Sequence, residues 1–510
     1  MTAFPAWGPR DHLAAGLAIV AFVGLVLAFL GADPPTAVPF TLSRPDLVEL
    51  VVEGPAKAHE ARNWALFGEW HRNPADNYQF WRIQSPVWVY PLAGAFRLFG
   101  TSYATLQAFS AAFGLLGMLG LWRLLRDVVP GPLGAAALWV YGTAVLVVSL
   151  SRSGMTEVLL NAATVWMVWT LLRARAHPAW LVASQGLFAL AFFAKQGIVY
   201  LFPLLVVANL AVFVSWGSQG RFPRLRWLPV ATAAAIAGLT VAWVLQPDYL
   251  RTITWNTSHM VTGGGPGEDR AVSVLERLSP ARFAAASWTF LPFVGLASLP
   301  ALVHVTVRAW RQRRPGDGLL AGWGLSTWVT VLVMREWTLR HGSIVVFPTL
   351  VLAAVSAQAW LTATTRPRPI RQALVGGLVA AGLVAGTIDQ VRRLATVRYT
   401  YDRFVRTVEA AAEGVEQPVA IGRFAMPLLL GSRFDLYYVK HIFNTTPEAV
   451  LALAPTHFVF HTRRDPVREA LSRLELTSMV GDCTLQMRVG TLPIEVCRRD
   501  QTAVEAARTR

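Results

Sequence analysis

SPVWVYPLAGAFRLFG, residues 85–100, is apolar enough to pass for a membrane crossing, and counting it as one reverses the orientation of every later segment. It is short for that task, since a helix needs ~20 apolar residues to cross a hydrocarbon core of ~30 Å. Pro86, Pro91, Arg97 and Gly100 also interrupt it. It reads as an interfacial or re-entrant helix, whose irregular backbone has to be surrounded by protein or water.

The 510 residues around it are 54% hydrophobic and only 15% charged, with 20 Trp. That charged fraction is well below the ~25% of soluble domains, and apolar runs of ~18 residues or more recur. A polytopic α-helical membrane protein is expected. The formal charge of +16 does not point to nucleic acid, because the basic residues punctuate apolar runs instead of forming one patch. Positive-inside sorting accounts for them. The first run, Leu13 to Leu30, is long and no A-x-A site follows it, so it reads as a retained helix and not a cleaved signal peptide.

With residues 85–100 kept on one face, the arginines sort consistently. Arg123 and Arg126, Arg173 and Arg175, Arg221 to Arg226, Arg308 to Arg314, and Arg366 to Arg371 each follow an apolar run. All fall on one side if the N-terminus is cytoplasmic and the chain crosses about eleven times. The other side receives an outer loop at 33–101, residues 151–156, 247–279 and 335–341, and everything after Asp389. The expected division is a transmembrane catalytic domain at 1–395 and a small soluble extracytoplasmic α/β domain at 396–510. In the latter, PVAIG, FDLYYV and HFVFHT alternate with the helix-like TPEAVLALA and DPVREALSRL, and MVGDCTLQMRVGTLPIEVCR reads as a hairpin. The only cysteines, Cys483 and Cys497, form no CxxC metal motif. On an oxidising side they are either a disulfide across the hairpin or two buried thiols.

The outer loop contains EGPAKAHEARNWALFGEW, residues 53–70, in which Glu53, Lys57 and Glu60 fall on one helical face. Glu53 is either a carboxylate facing a lipid-borne substrate or a charge at a helix start, with Pro55 inside and Lys57 one turn on. Glu157, in SRSGMTEVLL, opens a span from the same side, and Arg152 lies just before it. An ionisable pair at membrane depth is a functional hypothesis by default. Lys195 (FFAKQG) ends an outward span, where snorkelling is the plain local reading. Arg340 and His341 open the next inward span from that side, and arginine matches phosphate oxygens bidentately. His59, His71 and His259 have no second metal ligand at fixed spacing. The Gly-rich MVTGGGPGEDR, residues 260–270, lacks the GK[ST] of a phosphate loop. The sequons at Asn256 and Asn444 are short enough to arise by chance.

The order of these pieces is informative: acid-x-x-x-A-x-x-x-ARN-x-x-x-x-G-x-W, then QSPVWVYPLAGAFRLFG, SRSGMTE, FFAKQG, and an Arg site before a proline-containing span. Over about residues 10–360 this resembles the GT-C glycosyltransferases, in particular the group around protein O-mannosyltransferases and aminoarabinose transferases. The resemblance implies an inverting transfer from a polyprenyl-phosphate-linked sugar, at the outer face of a bacterial-type plasma membrane, to a glycan, lipid or protein acceptor. It implies Glu53 as base, with Glu60 as the substitute acid, and Glu157 as a second acid. Arg152, Lys195, Arg340 and His341 then contact the donor phosphate, together with Lys57 and Gln84. Two departures stand out. Val52 occupies the place of the usual Asp beside Glu53, and Gln84-Ser85-Pro86 replaces the usual KPP. A divalent cation between the acids occurs in some relatives and not others, so the metal stays open. The alternatives are a degenerate homologue that only binds lipid or a partner, which Val52 keeps open, and a transporter or flippase of lipid-linked sugars. A transporter should show half-repeats and ionisable groups at the bilayer midplane, whereas these cluster at outer span ends.

Overall fold

The structure is a computed structural model that describes residues 7–33, 53–70, 85–218, 227–245, 291–333, 342–363, 368–437, 446–462, 465–490 and 492–500, and a few single positions. Val52, His71, Gln84, Asn256, His259, the Gly-rich loop, Arg340, His341 and Asn444 lie outside the described residues. Among the described residues, five helices are long and apolar enough to cross a membrane by length and composition: Pro9–Leu27, Tyr103–Val128, Ile198–Gly217, Ser343–Thr362 and Pro369–Ala411. Shorter apolar helices accompany them at Pro178–Ala194 and Trp227–Ala242.

The first helix, α1 (Pro9–Leu27), starts at a Gly8 whose amide donates to Asp11 Oδ2 at 2.9 Å. Three more elements follow: α2 (His59–Phe67), α3 (Pro86–Phe99) and α4 (Tyr103–Val128). Next come α5 (Gly131–Thr143), α6 (Val145–Leu150), α7 (Thr156–Arg173) and α8 (Pro178–Ala194). One end of this bundle collects basic and aromatic groups. Trp7 Nε1 donates to the Val129 carbonyl at 3.1 Å, His12 packs against Trp122, and Arg126 lies over the Trp122 ring. Arg173 and the Trp169 indole share Asp127 Oδ2 at 2.7 and 2.8 Å. The arginines that punctuate the first spans thus meet at a single end, as the charge pattern requires.

The 14-residue α3 is too short to cross, at 1.5 Å of rise per residue. Trp88, Val89, Leu92, Ala93 and Phe96 form its buried face, while Tyr90, Leu98 and Phe99 stay exposed. Ser85 Oγ fixes its start by donating to the Ala194 carbonyl at 2.6 Å. The stretch from 53 to 60 differs from the expected single helix. Residues 53–56 make one helical turn, the chain leaves it at Lys57 and Ala58, and α2 begins at His59. Glu53, Lys57 and Glu60 therefore do not share one continuous helical face. Glu60 is instead buried along α2 with Arg62 and Asn63.

After the helix at Arg368–Ala395, a helix at Thr400–Ala411 packs on a five-stranded sheet. Its strands are β1 (Val419–Ile421), β2 (Asp435–Tyr437), β3 (His457–His461), β4 (Leu485–Val489) and β5 (Leu492–Arg498), in the order β2-β1-β3-β5-β4. β1 runs parallel to β2 and β3, while β5 is antiparallel to β3 and β4. Alternation along β3 splits the core. Phe458 and Phe460 pack on the side of Val450, Val467 and Leu471, and Val459 packs with Phe404 and Leu436. The expected strands, helices and hairpin are all present.

Cys483 and Cys497 form a disulfide across the hairpin, which decides between the two readings left open by the sequence. Closing a loop of this length is worth about 3 kcal/mol in the chain-entropy view. Thiol alkylation in denaturant without reductant is expected to modify no cysteine, and after reduction both, as read by intact mass.

Candidate functional site

α7 begins immediately after a tight turn at residues 151–154, where Gly154 has φ +75 and lies against the Leu106 side chain. Glu157, in the first turn of α7, is 1% exposed. An ionised carboxylate in such apolar surroundings needs a partner, and here it has two cations. Lys195 Nζ makes an ion pair with Glu157 Oε1, and Lys57 Nζ lies 3.9 Å from Oε2. Thr156 completes the cluster: its hydroxyl donates to Glu157 Oε2 at 3.3 Å and accepts from Lys57 Nζ at 3.3 Å. The lysine side chains keep some access to the outside, at 13% for Lys57 and 18% for Lys195.

Backbone contacts explain how distant segments reach this point. Lys195 is the residue at which α8 ends, and its extended backbone (φ −160, ψ 122) carries the chain out of the helix beside Glu157. Gly54 rests directly on the Ser153 carbonyl, so that a Cβ there would sit 1.6 Å from the oxygen. That contact sets the Glu53–Lys57 turn against the start of α7, with Glu53 half-buried. Ser85 is bonded to Ala194, next to Lys195. One turn along α7 from Glu157, Asn161 Nδ2 donates to Ser343 Oγ at 3.0 Å. This bond holds the segment that follows Arg340 and His341 in sequence.

Four of the anticipated residues, Glu53, Lys57, Glu157 and Lys195, are thus on segments that meet. Lys195 pairs with a carboxylate and does not merely snorkel. Arg152 is elsewhere: it is 3% exposed and turns away from Glu157. Its guanidinium donates to the carbonyl of Ala28 and, at 2.7 Å, to that of Phe29, just past the end of α1. Arg393 Nη2 joins it there, donating to the Leu25 carbonyl at 3.0 Å. The last carbonyls of a helix have no intrahelical partner and form the negative end of its dipole. Two guanidinium groups satisfy that end inside the protein. The expected Arg152–Glu157 pair is not formed.

Comparison with known proteins now becomes informative. Residues 84–244 match the family described as dolichyl-phosphate-mannose-protein mannosyltransferase. The chain superposes on ArnT from Cupriavidus metallidurans bound to undecaprenyl phosphate with a TM-score of 0.56 and 16% identity, covering 96% of this chain and 98% of that one. The archaeal oligosaccharyltransferase AglB from Archaeoglobus fulgidus, in complex with an inhibitory peptide and a dolichol-phosphate, superposes with a TM-score of 0.54 and 12% identity. That match covers 97% of this chain and 74% of AglB. No curated protein sequence matches the chain. The fold is that of the GT-C glycosyltransferases.

Within this GT-C fold the cluster has a definite electrostatic sense. Lys57 and Lys195 both face Glu157, which places two ammonium groups at the start of α7. Such a set suits an anionic oxygen group, which gains from charge-assisted hydrogen bonds. Among the described residues, the group with metal-ligand spacing is Cys483, Glu495 and Cys497 in the C-terminal sheet, and its two sulfurs are bonded to each other. Sequence reasoning missed Thr156, Asn161, Ser343 and Arg62. Thr156 stood inside the quoted SRSGMTE, but a lone threonine gives no signal until its partners are placed.

Arg152→Gln removes charge-assisted bonds to the buried carbonyls of Ala28 and Phe29, at roughly 1.5–3 kcal/mol each. The thermal midpoint in detergent is expected to fall by several degrees while the KM of the remaining folded protein is unchanged. An unchanged midpoint with a raised KM for a phospho-lipid donor would instead return Arg152 to the donor site.

Proposed function

We propose that the protein is an integral membrane glycosyltransferase of the inverting type. It moves a sugar from a polyprenyl-phosphate-linked donor to an acceptor hydroxyl at the extracytoplasmic face of a bacterial-type plasma membrane. The observation that carries this reading is the convergence of Lys57 and Lys195 on the buried Glu157, with the Glu53 turn packed beside them. The family matched by residues 84–244 uses a dolichyl-phosphate-mannose donor by its description, and both structural neighbours carry a lipid phosphate. The accompanying topology is eleven crossings with the N-terminus inside, a catalytic domain at 1–395 and the outer α/β domain at 396–510.

In the proposed reaction Glu53 accepts the acceptor hydroxyl proton as the oxygen bonds to the anomeric carbon. The bond from that carbon to the phosphate oxygen breaks on the opposite face, and the electron pair leaves with the polyprenyl phosphate. Lys57 and Lys195 take up the charge that develops there, joined by Arg340, His341 and Gln84 by their place in the sequence. Fixed cations in a site shielded from water stabilise a departing anion without reorganising at the moment of reaction. Glu157 has a different part from the second acid anticipated above. Bound to Lys195 and near Lys57, it orients the two ammonium groups and is a poor base while so paired. Arg152 leaves the donor set, for the reason given by its bonds to the end of α1.

Purified protein in lipid nanodiscs, given labelled polyprenyl-phosphate sugar, tests these roles. Glu53→Gln should lower kcat by about 10²–10⁴-fold, the usual worth of a general base. A full rate in Glu53→Gln combined with loss in Glu60→Gln would transfer the role to Glu60. Lys195→Met should raise the donor KM and lower kcat together. A wild-type protein that binds polyprenyl phosphate yet transfers no sugar from a panel of donors would identify a lipid-binding homologue instead.

A further inference from the structure

α2 is only 9 residues long, and a two-residue turn at Lys57 and Ala58 separates it from the helical turn at 53–56. A helix of that length is not stable on its own, so its order has to come from tertiary contacts. Its largest buried side chain is Arg62, which is 0% exposed. The guanidinium reaches the C-terminal sheet domain: Nε donates to the Leu430 carbonyl at 2.8 Å, and Nη2 to the carbonyls of Ser432 and Phe434, both at 2.6 Å. Nη1 donates to Asn63 Oδ1 at 3.0 Å. The loop that receives it leads into β2 and is itself fixed. Ser432 folds back on the Leu429 carbonyl, Arg433 bonds to Glu409 and the Ala412 carbonyl, and Leu430 packs with Ala58, Ala61 and Tyr103.

The same domain is moored a second time. Asp33, just past α1, accepts from the Thr400 amide and hydroxyl at 2.8 and 2.5 Å and from the Tyr401 amide at 3.1 Å. Burial pushes its carboxyl above the usual carboxylate range, and these hydrogen bonds offset that only in part. Tyr103 and Tyr401 stack at 4.9 Å. Contacts thus run from Glu157 through Lys57 and α2 to Arg62, then through the sheet domain to Asp33 and α1.

We infer that Arg62 is a positioning residue: it makes the placement of the Glu53–Lys57 turn depend on the docked C-terminal domain. The three carbonyls lie on separate residues of one loop, and reaching them requires donors on more than one nitrogen. A guanidinium provides that fork; the single ammonium of lysine does not. The C-terminal domain is then part of the machinery that orders the outer loop, and not an appendage. The consequence for catalysis rests on the roles proposed for Glu53 and Lys57, but the placement itself does not.

Both natural cysteines are bonded to each other, so a cysteine introduced at Ala58 is the sole reactive thiol in the full-length protein. Ala58 is 0% exposed and Ala162, inside α7, is 3% exposed. With Arg62 present, maleimide labelling is expected to be slow at both sites. In Arg62→Ala, and also in Arg62→Lys, labelling at position 58 should rise at least tenfold while position 162 stays protected. The Arg62 variants should remain monodisperse with the Cys483–Cys497 disulfide intact. Unchanged labelling at 58, or an equal rise at 58 and 162, would overturn the inference. Since no sugar transfer is needed for this readout, its result is separable from that of the activity assay, in which Arg62→Lys is expected to lower kcat more than it changes the donor KM.

Discussion

Three distant segments of the described chain meet at one buried carboxylate. Glu157 sits at the first turn of an otherwise apolar helix, where an unpaired charge is not tolerated. The helix dipole favours an acid at this end, but the dipole alone does not replace lost hydration. Lys195 and Lys57 do, and each imposes geometry on a distant part of the chain. Lys195 requires α8 to end level with the start of α7. Lys57 requires the segment at 53–58 to lie against the turn at 151–154, which succeeds because Gly54 has no side chain to strike Ser153.

A second constraint acts on the backbone. α1 ends within the protein and not in water, so its last carbonyls need donors. Arg152 and Arg393, from opposite parts of the sequence, supply them. This use of arginine resembles that of Arg62, which donates to the main-chain carbonyls of Leu430, Ser432 and Phe434 in the C-terminal domain. Guanidinium groups in this protein therefore serve as joints between segments. That is why charge type alone was a poor guide to function for Arg152, and why Arg62 drew no notice.

Much of the outline was legible in the sequence because it follows from local rules. Residues 85–100 were too short to cross, and α3 is a short helix with one buried face. The change from helical to alternating periodicity marked the sheet, and β1 to β5 appear where PVAIG, FDLYYV, HFVFHT and the hairpin predicted them. Glu157 and Lys195 were each visible as ionisable groups at span ends. Their pairing was not, since each has an adequate local explanation and nothing local links residues so far apart. The helical face assumed for Glu53, Lys57 and Glu60 failed because periodicity carries no record of a break at Lys57.

The sequence by itself determined that the chain belongs in a membrane, where its basic residues fall between apolar runs, and that a small α/β domain with a cysteine-bearing hairpin follows the helices. These depend on composition, period and charge sign, all of which act over a few residues. Only the tertiary structure decided that Cys483 and Cys497 are joined, that Arg152 serves α1, and that Lys57 and Lys195 share Glu157. Those outcomes are set by desolvation: each buried charge or orphan carbonyl takes whichever partner packing brings within reach. Packing is a property of the whole chain.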